Sequence, residues 1–252
     1  MIFVLSFIAL LFCPSPILAQ DFSQAQADYQ FRQSQYQSAY QNYLSKREIH
    51  TKYQTITTKS EKITATKDAI IARNTALKYY LIALKSLLSR FQTFNPDETD
   101  NSLITIDNWI TYLEEQNTIV SSLNNEVDLS QNADEFRLKW VLIQQSVYSG
   151  LIQHHINYQS LILDQITSLS QFIQASPQLQ SESQTIFSSL PIKYDQVKVA
   201  QQSAMTLANK KQYYNRFNNF YPDAKAELTR AHNYLVSLTS DLNSVVIKYL
   251  SL

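Results

Sequence analysis

Few residues in this chain could do acid–base chemistry or bind a metal. Its four histidines include one adjacent pair, His154 and His155. Neighbours on an α-helix point about 100° apart, and the residues three or four positions from the pair carry no metal-binding side chain. A metal site would therefore need ligands from other helices. We predict no metal site and no cofactor, and we expect the two histidines to be polar neighbours in a helix interface.

Other catalytic arrangements are not indicated either. Glu114 and Glu115 have no carboxylate or histidine partner at helical spacing, whereas di-iron bundles use a Glu-x-x-His motif. Gly150 is the only glycine in 252 residues, although phosphate-binding loops and nucleophile elbows depend on glycine. The single cysteine, Cys13, lies in an apolar N-terminal segment. We therefore predict that the protein is not an enzyme.

An aromatic row is the remaining candidate for a binding surface. Residues 21–43 are rich in Gln and Ser, but aromatic side chains recur there at intervals of seven. Residues seven apart lie on nearly the same helix face, and tyrosine combines apolar area with a hydroxyl group. Two interpretations stay open: the row contacts another protein, or another helix of this chain covers it. The candidate interaction residues are Phe22, Tyr29, Tyr36, Tyr40 and Tyr43.

Beyond the aromatic row, apolar residues continue to recur at intervals of seven, although the pattern shifts by one residue after Tyr43. These residues would form the helix that positions the row. No Gly or Pro interrupts Gln20 to Asn95, and a strand would need alternation by two. We predict one very long N-terminal helix from about Phe22, with its C-terminal half the better buried. The main apolar row is Ile49, Ile56, Ile63, Ile70, Leu77, Leu84 and Phe91, and the second row is mixed, with Tyr53, Ser60, Lys67 and Asn74 before Leu81 and Leu88.

Charge separates consecutive parts of the chain. Residues 46–90 carry ten Lys or Arg against three acidic residues, whereas residues 95–135 carry ten acidic residues and no basic one. Opposite charges favour neighbouring helices, so we predict an antiparallel hairpin between Ile70–Phe94 and Leu103–Val127. This internal compensation, with an overall net charge of zero, argues against nucleic acid as a partner.

The rest of the chain predicts further helices. A connection over Asp128–Asp134 would precede a helix to about Ala175, and Pro177 and Pro191 would bracket a short helical segment. The last helix would begin near Ala224. Its two-row heptad pattern, which is typical of a helix that packs in a groove, consists of Leu228, Ala231, Leu235, Leu238, Leu242, Val245 and Tyr249.

These patterns together predict an all-α fold. We expect an elongated antiparallel helical bundle or coiled coil of about five helices, forming a single domain over 20–252. The preceding residues 1–19 have the composition of a signal peptide, because an apolar run from Ile2 to Phe12 is followed by prolines and then Ala19. The alternative is an uncleaved N-terminal anchor, so any membrane contact would use this segment. The expected location is secreted or cell envelope, in the periplasm or at the cell surface.

The sequence therefore predicts an exported, non-catalytic scaffold or protein-interaction module. It would bind a protein partner, or a second copy of itself, through helix faces. One alternative is a secreted α-helical membrane-active protein, but its best candidate hairpin, Trp140–Leu163, contains Gln144 and His154 among other polar residues. The other is an envelope bundle that holds a small ligand in a cavity between helices.

Overall fold

The computed structural model describes residues 16–89, 96–175, 184–209 and 220–250, with side chains over 21–89, 101–175, 187–209 and 220–247. This part of the chain is helical apart from short connections, and it contains no strand. The all-α prediction is confirmed, whereas nearly all of the predicted signal peptide lies outside the described residues. Six helices follow one another within them, one more than the predicted number of about five: α1 (Pro16–Tyr53), α2 (Ile56–Ser89), α3 (Pro96–Ser122), α4 (Glu126–Gln174), α5 (Gln184–Asn209) and α6 (Phe220–Leu250).

The prediction of one very long N-terminal helix is wrong, because the chain reverses between α1 and α2. Gln54 adopts a φ of 49°, in the left-handed region, and donates its N–H to the His50 carbonyl at 2.9 Å. Thr55 and Thr58 then cap α2 reciprocally, since the backbone N–H of each donates to the hydroxyl oxygen of the other at 3.1 Å. Glycine usually occupies such a left-handed helix end, so the lack of glycine concealed this one.

The reversal makes α1 and α2 an antiparallel hairpin. Near the turn, Lys46 Nζ lies 2.8 Å from Glu61 Oε2. Far from the turn, the rings of Tyr29 and Tyr80 pack with their centroids 5.3 Å apart. The predicted apolar row is therefore not one continuous face, and Ile56, in the first turn of α2, is 90% exposed.

Ion pairs confirm that α2 and α3 form the predicted hairpin. Its predicted bounds differ, because α3 ends at Ser122 and Val127 belongs to α4, and residues 90–94 lie outside the described residues. Lys85 Nζ lies 2.7 Å from Asp107 Oδ2, and Lys78 Nζ lies 2.6 Å from Glu114 Oε1. Because residue numbers rise on one helix as they fall on the other, the two helices are antiparallel. The C-terminal half of the predicted long helix, which corresponds to α2, is the better buried half, as predicted. The buried apolar residues of α2 are Ala65, Ala69, Ile70, Ala76, Leu81, Ala83, Leu84 and Leu88.

The predicted connection over Asp128–Asp134 is wrong, because those residues belong to the first three turns of α4. The break comes earlier, where the Asn125 side-chain Oδ1 accepts the Asp128 N–H at 2.9 Å and so caps α4. Asn132 therefore lies within α4, and its Nδ2 donates to Gln116 Oε1 of α3 at 2.8 Å. Acidic residues in a first turn favour a helix N-terminus electrostatically, which explains the position of the cap.

The described chain divides into two compact units. The N-terminal unit contains 16–89 and 99–147, which are α1, α2, nearly all of α3 and the first part of α4. The C-terminal unit contains 96–98 and the described residues from 148 onward. The single helical-bundle domain over 20–252 stays a prediction.

The C-terminal unit is built from the later part of α4, α5 and α6. Ser170 Oγ meets Tyr194 Oη at 3.1 Å, and Lys193 pairs with Asp241. The heptad face predicted for the last helix is confirmed up to Val245, and Tyr249 lies outside the described side chains. The core residues that α6 contributes are Phe220, Ala224, Leu228, Ala231, Leu235, Leu238, Leu242 and Val245.

Buried carboxamides join the three helices of the C-terminal unit. Gln159 Nε2 on α4 donates to the Leu228 carbonyl on α6 at 2.8 Å, and Gln201 Nε2 on α5 lies 3.5 Å from Gln159 Oε1. Both glutamines are buried. Buried polar groups are costly unless they are hydrogen-bonded, so this layer restricts how the three helices pack.

Pro191 does not separate two helices as predicted. It lies inside α5, which begins at Gln184 and continues to Asn209. Proline has no N–H to donate to the carbonyl four residues before it, so α5 lacks one backbone hydrogen bond there and yet continues. Leu190 and Val197 on either side are buried in the core, and burial of apolar side chains supplies most of the stability of a helix in a protein. Pro177, the other predicted boundary, lies outside the described residues.

Candidate functional site

A cleft of about 380 Å³ lies in the N-terminal unit. Side chains from α1, α2 and the start of α4 surround it. Ligand pockets commonly measure about 300 to 1,000 Å³, so the cleft is large enough for a small molecule or part of a peptide. The lining residues are Tyr36, Tyr40, Tyr43 and Arg47 of α1, Lys62, Thr66, Ala69, Ile70 and Arg73 of α2, and Glu126, Leu129, Ser130 and Ala133 of α4.

Three of the five predicted interaction residues line this cleft. Tyr36 and Tyr40 have ring centroids 6.0 Å apart, and so do Tyr40 and Tyr43. Tyr40 is 42% exposed, whereas its two neighbours are half-buried. The three rings therefore form a short aromatic ladder along one wall, and their hydroxyl groups add hydrogen-bonding capacity.

The other two predicted residues are not part of the cleft. Tyr29 is half-buried and packs against Tyr80 of α2, so this chain covers that part of the row. Phe22 is also half-buried and does not line the cleft. The two interpretations of the row thus apply to different parts of it. Contact between the cleft tyrosines and another protein stays a prediction.

The guanidinium group of Arg73 is held in a fixed orientation at the cleft. Its Cζ lies 3.7 Å from the centroid of the Phe136 ring, which is a close cation–π contact. Its Nε and Nη2 donate to Asn74 Oδ1 at 3.2 and 3.0 Å. Asn74 is fully buried, so a rigid acceptor defines one edge of the guanidinium.

Arg73 is also a poorly solvated charge. Burial lowers its pKa, and the nearby Tyr36 and Tyr112 hydroxyls raise it in part. Arginine stays protonated in proteins despite such effects, so the cleft keeps a positive charge. Burial likewise raises the pKa of Tyr112, while Arg73 lowers it. The phenol of Tyr112 is thus neutral and cannot neutralise the guanidinium.

Lys62 and Glu126 form the one ion pair within the lining of the cleft. Lys62 Nζ lies 2.9 Å from Glu126 Oε2. This hydrogen bond lowers the pKa of the Glu126 carboxyl, and the positive charges of Lys62 and Lys59 lower it further against an opposing effect of desolvation. The carboxylate is therefore ionised at neutral pH. Its other oxygen, Oε1, is buried and has no hydrogen-bond partner among the described residues.

The charged residues of the cleft were not predicted from the sequence. The positive charge of 46–90 was expected to be balanced by the following acidic segment, and for Lys62, Lys78 and Lys85 the ion pairs bear this out. Arg47 and Arg73 form no ion pair with any residue that the structure describes. The net positive charge was the available signal, but only the fold shows which side chains stay unbalanced.

The histidine pair is placed in the C-terminal unit. The ring centroids of His154 and His155 are 5.7 Å apart. Burial lowers the pKa of His155, and the charge of Lys225 lowers it further. Across the described residues, no three His, Cys, Asp or Glu side chains come together in a way that could hold a metal ion.

The hairpin considered for membrane insertion is part of one continuous helix. Trp140–Leu163 lies wholly within α4. Among the helices as far as they are described, none combines the length and the apolar character needed to cross a membrane.

Comparisons with known proteins add no assignment. No protein-family model, curated protein or solved structure matches the chain. The function proposed below therefore rests on the geometry of the cleft.

Proposed function

We propose that this protein is a non-catalytic helical scaffold that binds a protein partner at the cleft of the N-terminal unit. The observation that supports the proposal is the aromatic ladder of Tyr36, Tyr40 and Tyr43, which is partly exposed beside a cleft of about 380 Å³. Tyrosine is enriched at protein interfaces because it contributes a large contact area for little loss of side-chain entropy. The ladder is also held in place, since its residues lie on a helix that packs along α2.

Export is part of the same proposal. The apolar run of residues 2–12, with the prolines and Ala19 after it, supports a location in the cell envelope or outside the cell. The absence of catalysis is proposed because the cleft carries one carboxylate, already paired with Lys62, together with tyrosines and two unpaired arginines. These groups bind and orient, and no nucleophile with a neighbouring base is found among the residues that line the cleft.

Site-specific photo-crosslinking tests the proposal. A photoreactive phenylalanine analogue is placed at Tyr40 in the full chain, in the cells that produce the protein. We expect an adduct of defined mass with another protein after irradiation. The Tyr36→Ala/Tyr43→Ala change should reduce its yield by about fivefold or more, because interface aromatics often contribute more than 1 kcal/mol each.

The same analogue at Phe31 is the matched control. Phe31 lies on the same helix and is 57% exposed, but it does not line the cleft. Equal adducts from both positions, or none from Tyr40, would refute a partner at the cleft. An adduct with the mass of two copies of the chain would replace the partner with self-association. The volume of the cleft also suits a small ligand, and that alternative predicts no protein adduct from Tyr40 at all.

A further inference from the structure

Arg73 has no acidic partner among the described residues, in contrast to three of the five lysines of α2. Lys62, Lys78 and Lys85 each have an acidic partner. Arg73 is half-buried and has none among the described residues. A charge that has lost part of its hydration without an ionic partner is destabilising. The Phe136 ring and Asn74 offset part of this cost, but no described residue supplies an opposite charge.

The geometry leaves one end of the guanidinium available. Nε and one Nη2 hydrogen are directed to Asn74 Oδ1, at 3.2 and 3.0 Å. The ring of Phe136 covers one face, 3.7 Å from Cζ. The second Nη2 hydrogen and both Nη1 hydrogens have no acceptor among the described residues. Arginine binds carboxylates with pairs of parallel hydrogen bonds, and the second Nη2 hydrogen with one Nη1 hydrogen forms such a pair of donors at the free end.

The residues around Arg73 indicate which chemical group could bind to its free end. Arg47 lines the same cleft and also lacks an ionic partner in the described chain, so the anionic group would meet two positive charges. Glu126 is engaged by Lys62 and does not compete for Arg73. The ring of Tyr40 offers a partly exposed apolar surface next to these charges. The cleft therefore complements an acidic side chain with an aromatic residue near it.

We infer that the cleft receives a Glu or Asp side chain of an acidic segment in the protein partner, with its carboxylate bound by the free end of Arg73. This inference rests on the function proposed above and names the chemistry of the partner. Binding supplies the anion that the half-buried guanidinium lacks. It should weaken as salt concentration rises, although less than at a fully exposed site, because the site is partly screened from solvent.

Binding of a defined acidic polymer tests the inference. The probe is a fluorescein-labelled random copolymer of Glu and Tyr, measured by fluorescence anisotropy against the full chain. A Lys–Tyr copolymer serves as the reversed-charge probe. We expect the Glu–Tyr copolymer to bind and the Lys–Tyr copolymer not to bind. Arg73→Met should weaken binding about tenfold or more, the effect of losing a charge-assisted pair of hydrogen bonds.

Two further variants keep the test independent of misfolding. Asn74→Asp preserves the shape of the side chain and places a carboxylate on Arg73 inside the fold, so it should reduce binding while the protein stays helical. It also replaces a buried Nδ2 that has no hydrogen-bond partner in the described chain. Arg137→Met removes the same charge from a 79% exposed side chain that is paired with Asp134 and lies outside the cleft. It should change binding by less than about twofold.

The outcomes separate the two proposals. If wild-type protein fails to bind the Glu–Tyr copolymer, or if Arg73→Met, Asn74→Asp and Arg137→Met all behave alike, the inference is wrong. Tighter binding of a tyrosine-phosphorylated copolymer would overturn the carboxylate in favour of a phosphate. In each case, a protein adduct from Tyr40 would still support the proposed partner, and loss of that adduct alone would count against the scaffold function.

Discussion

Replacing Gln54 with glycine tests the reversal between α1 and α2, because the hairpin and a continuous helix predict opposite signs. Gln54 has a φ of 49°, and a left-handed conformation costs a residue with a side chain about 1 to 2 kcal/mol. Glycine removes that cost but gives the unfolded chain more freedom, which offsets about 0.4 to 1 kcal/mol. We therefore expect Gln54→Gly to raise the free energy of unfolding by about 0.5 to 1 kcal/mol.

Thermal unfolding followed by circular dichroism measures the effect. At about 2 to 4 °C per kcal/mol for a chain of this size, the expected rise in Tm is about 1 to 4 °C. Gln37→Gly is the matched control, because Gln37 is exposed in the interior of α1 and belongs to the same compact unit. There, glycine should lower the free energy of unfolding by about 1 kcal/mol. A decrease of similar size in both variants would show a continuous helix and refute the hairpin.

Two further predictions concern the core and the ion pair of the N-terminal unit. Leu113 is fully buried, so Leu113→Ala should lower the free energy of unfolding in urea by about 2 to 5 kcal/mol. Leu138→Ala, at a 72% exposed position, should change it by less than about 0.5 kcal/mol, and equal losses would contradict the packing of α3. Lys62 lowers the pKa of Glu126 in the folded state, so the resulting stabilisation is present above the unfolded value of 4.5 and is lost as pH falls through the lower folded value. Tm measured from pH 7 to pH 3 should therefore fall less steeply for Glu126→Gln, and parallel curves would contradict the pair.

Much of the helical architecture could be predicted from spacing and charge. Heptad spacing predicts the buried face of α6, and the opposite charges of consecutive segments predict the pairing of α2 with α3. The reversal at Gln54 was hidden, because neither glycine nor proline marks it. Two signals were nevertheless present: the β-branched run from Thr55 to Thr58, whose ends form the cap, and the slip of the heptad phase after Tyr43. A shift in heptad phase can mark a change of packing partner, and here it precedes the reversal of the chain at Gln54.

The cleft could be predicted only in part. Spacing along one helix was enough to single out Tyr36, Tyr40 and Tyr43. The position of Arg73 depends on Phe136, which lies on another helix and far along the chain, so no local pattern indicates their contact. Asn74 was predicted as a polar member of a mixed row, and its full burial follows from tertiary packing alone. Propensity and periodicity describe single elements, whereas a site between elements depends on how they meet.

The buried carboxamide layer of the C-terminal unit favours one axial alignment of its helices, whereas the apolar residues allow more than one. Side chains that repeat every seven residues would let one helix slide by a single repeat, about 10 Å, and meet equivalent apolar neighbours. Gln201 Nε2 of α5 faces Gln159 Oε1 of α4 in the described structure. After such a slide of α4 along α5, Ile152 or Ile166 would take the place of Gln159, and the buried Gln201 amide would lose this partner at a cost of about 1 to 3 kcal/mol. The layer therefore favours one axial alignment of α4 with α5, and it does so with a group that adds little to their attraction.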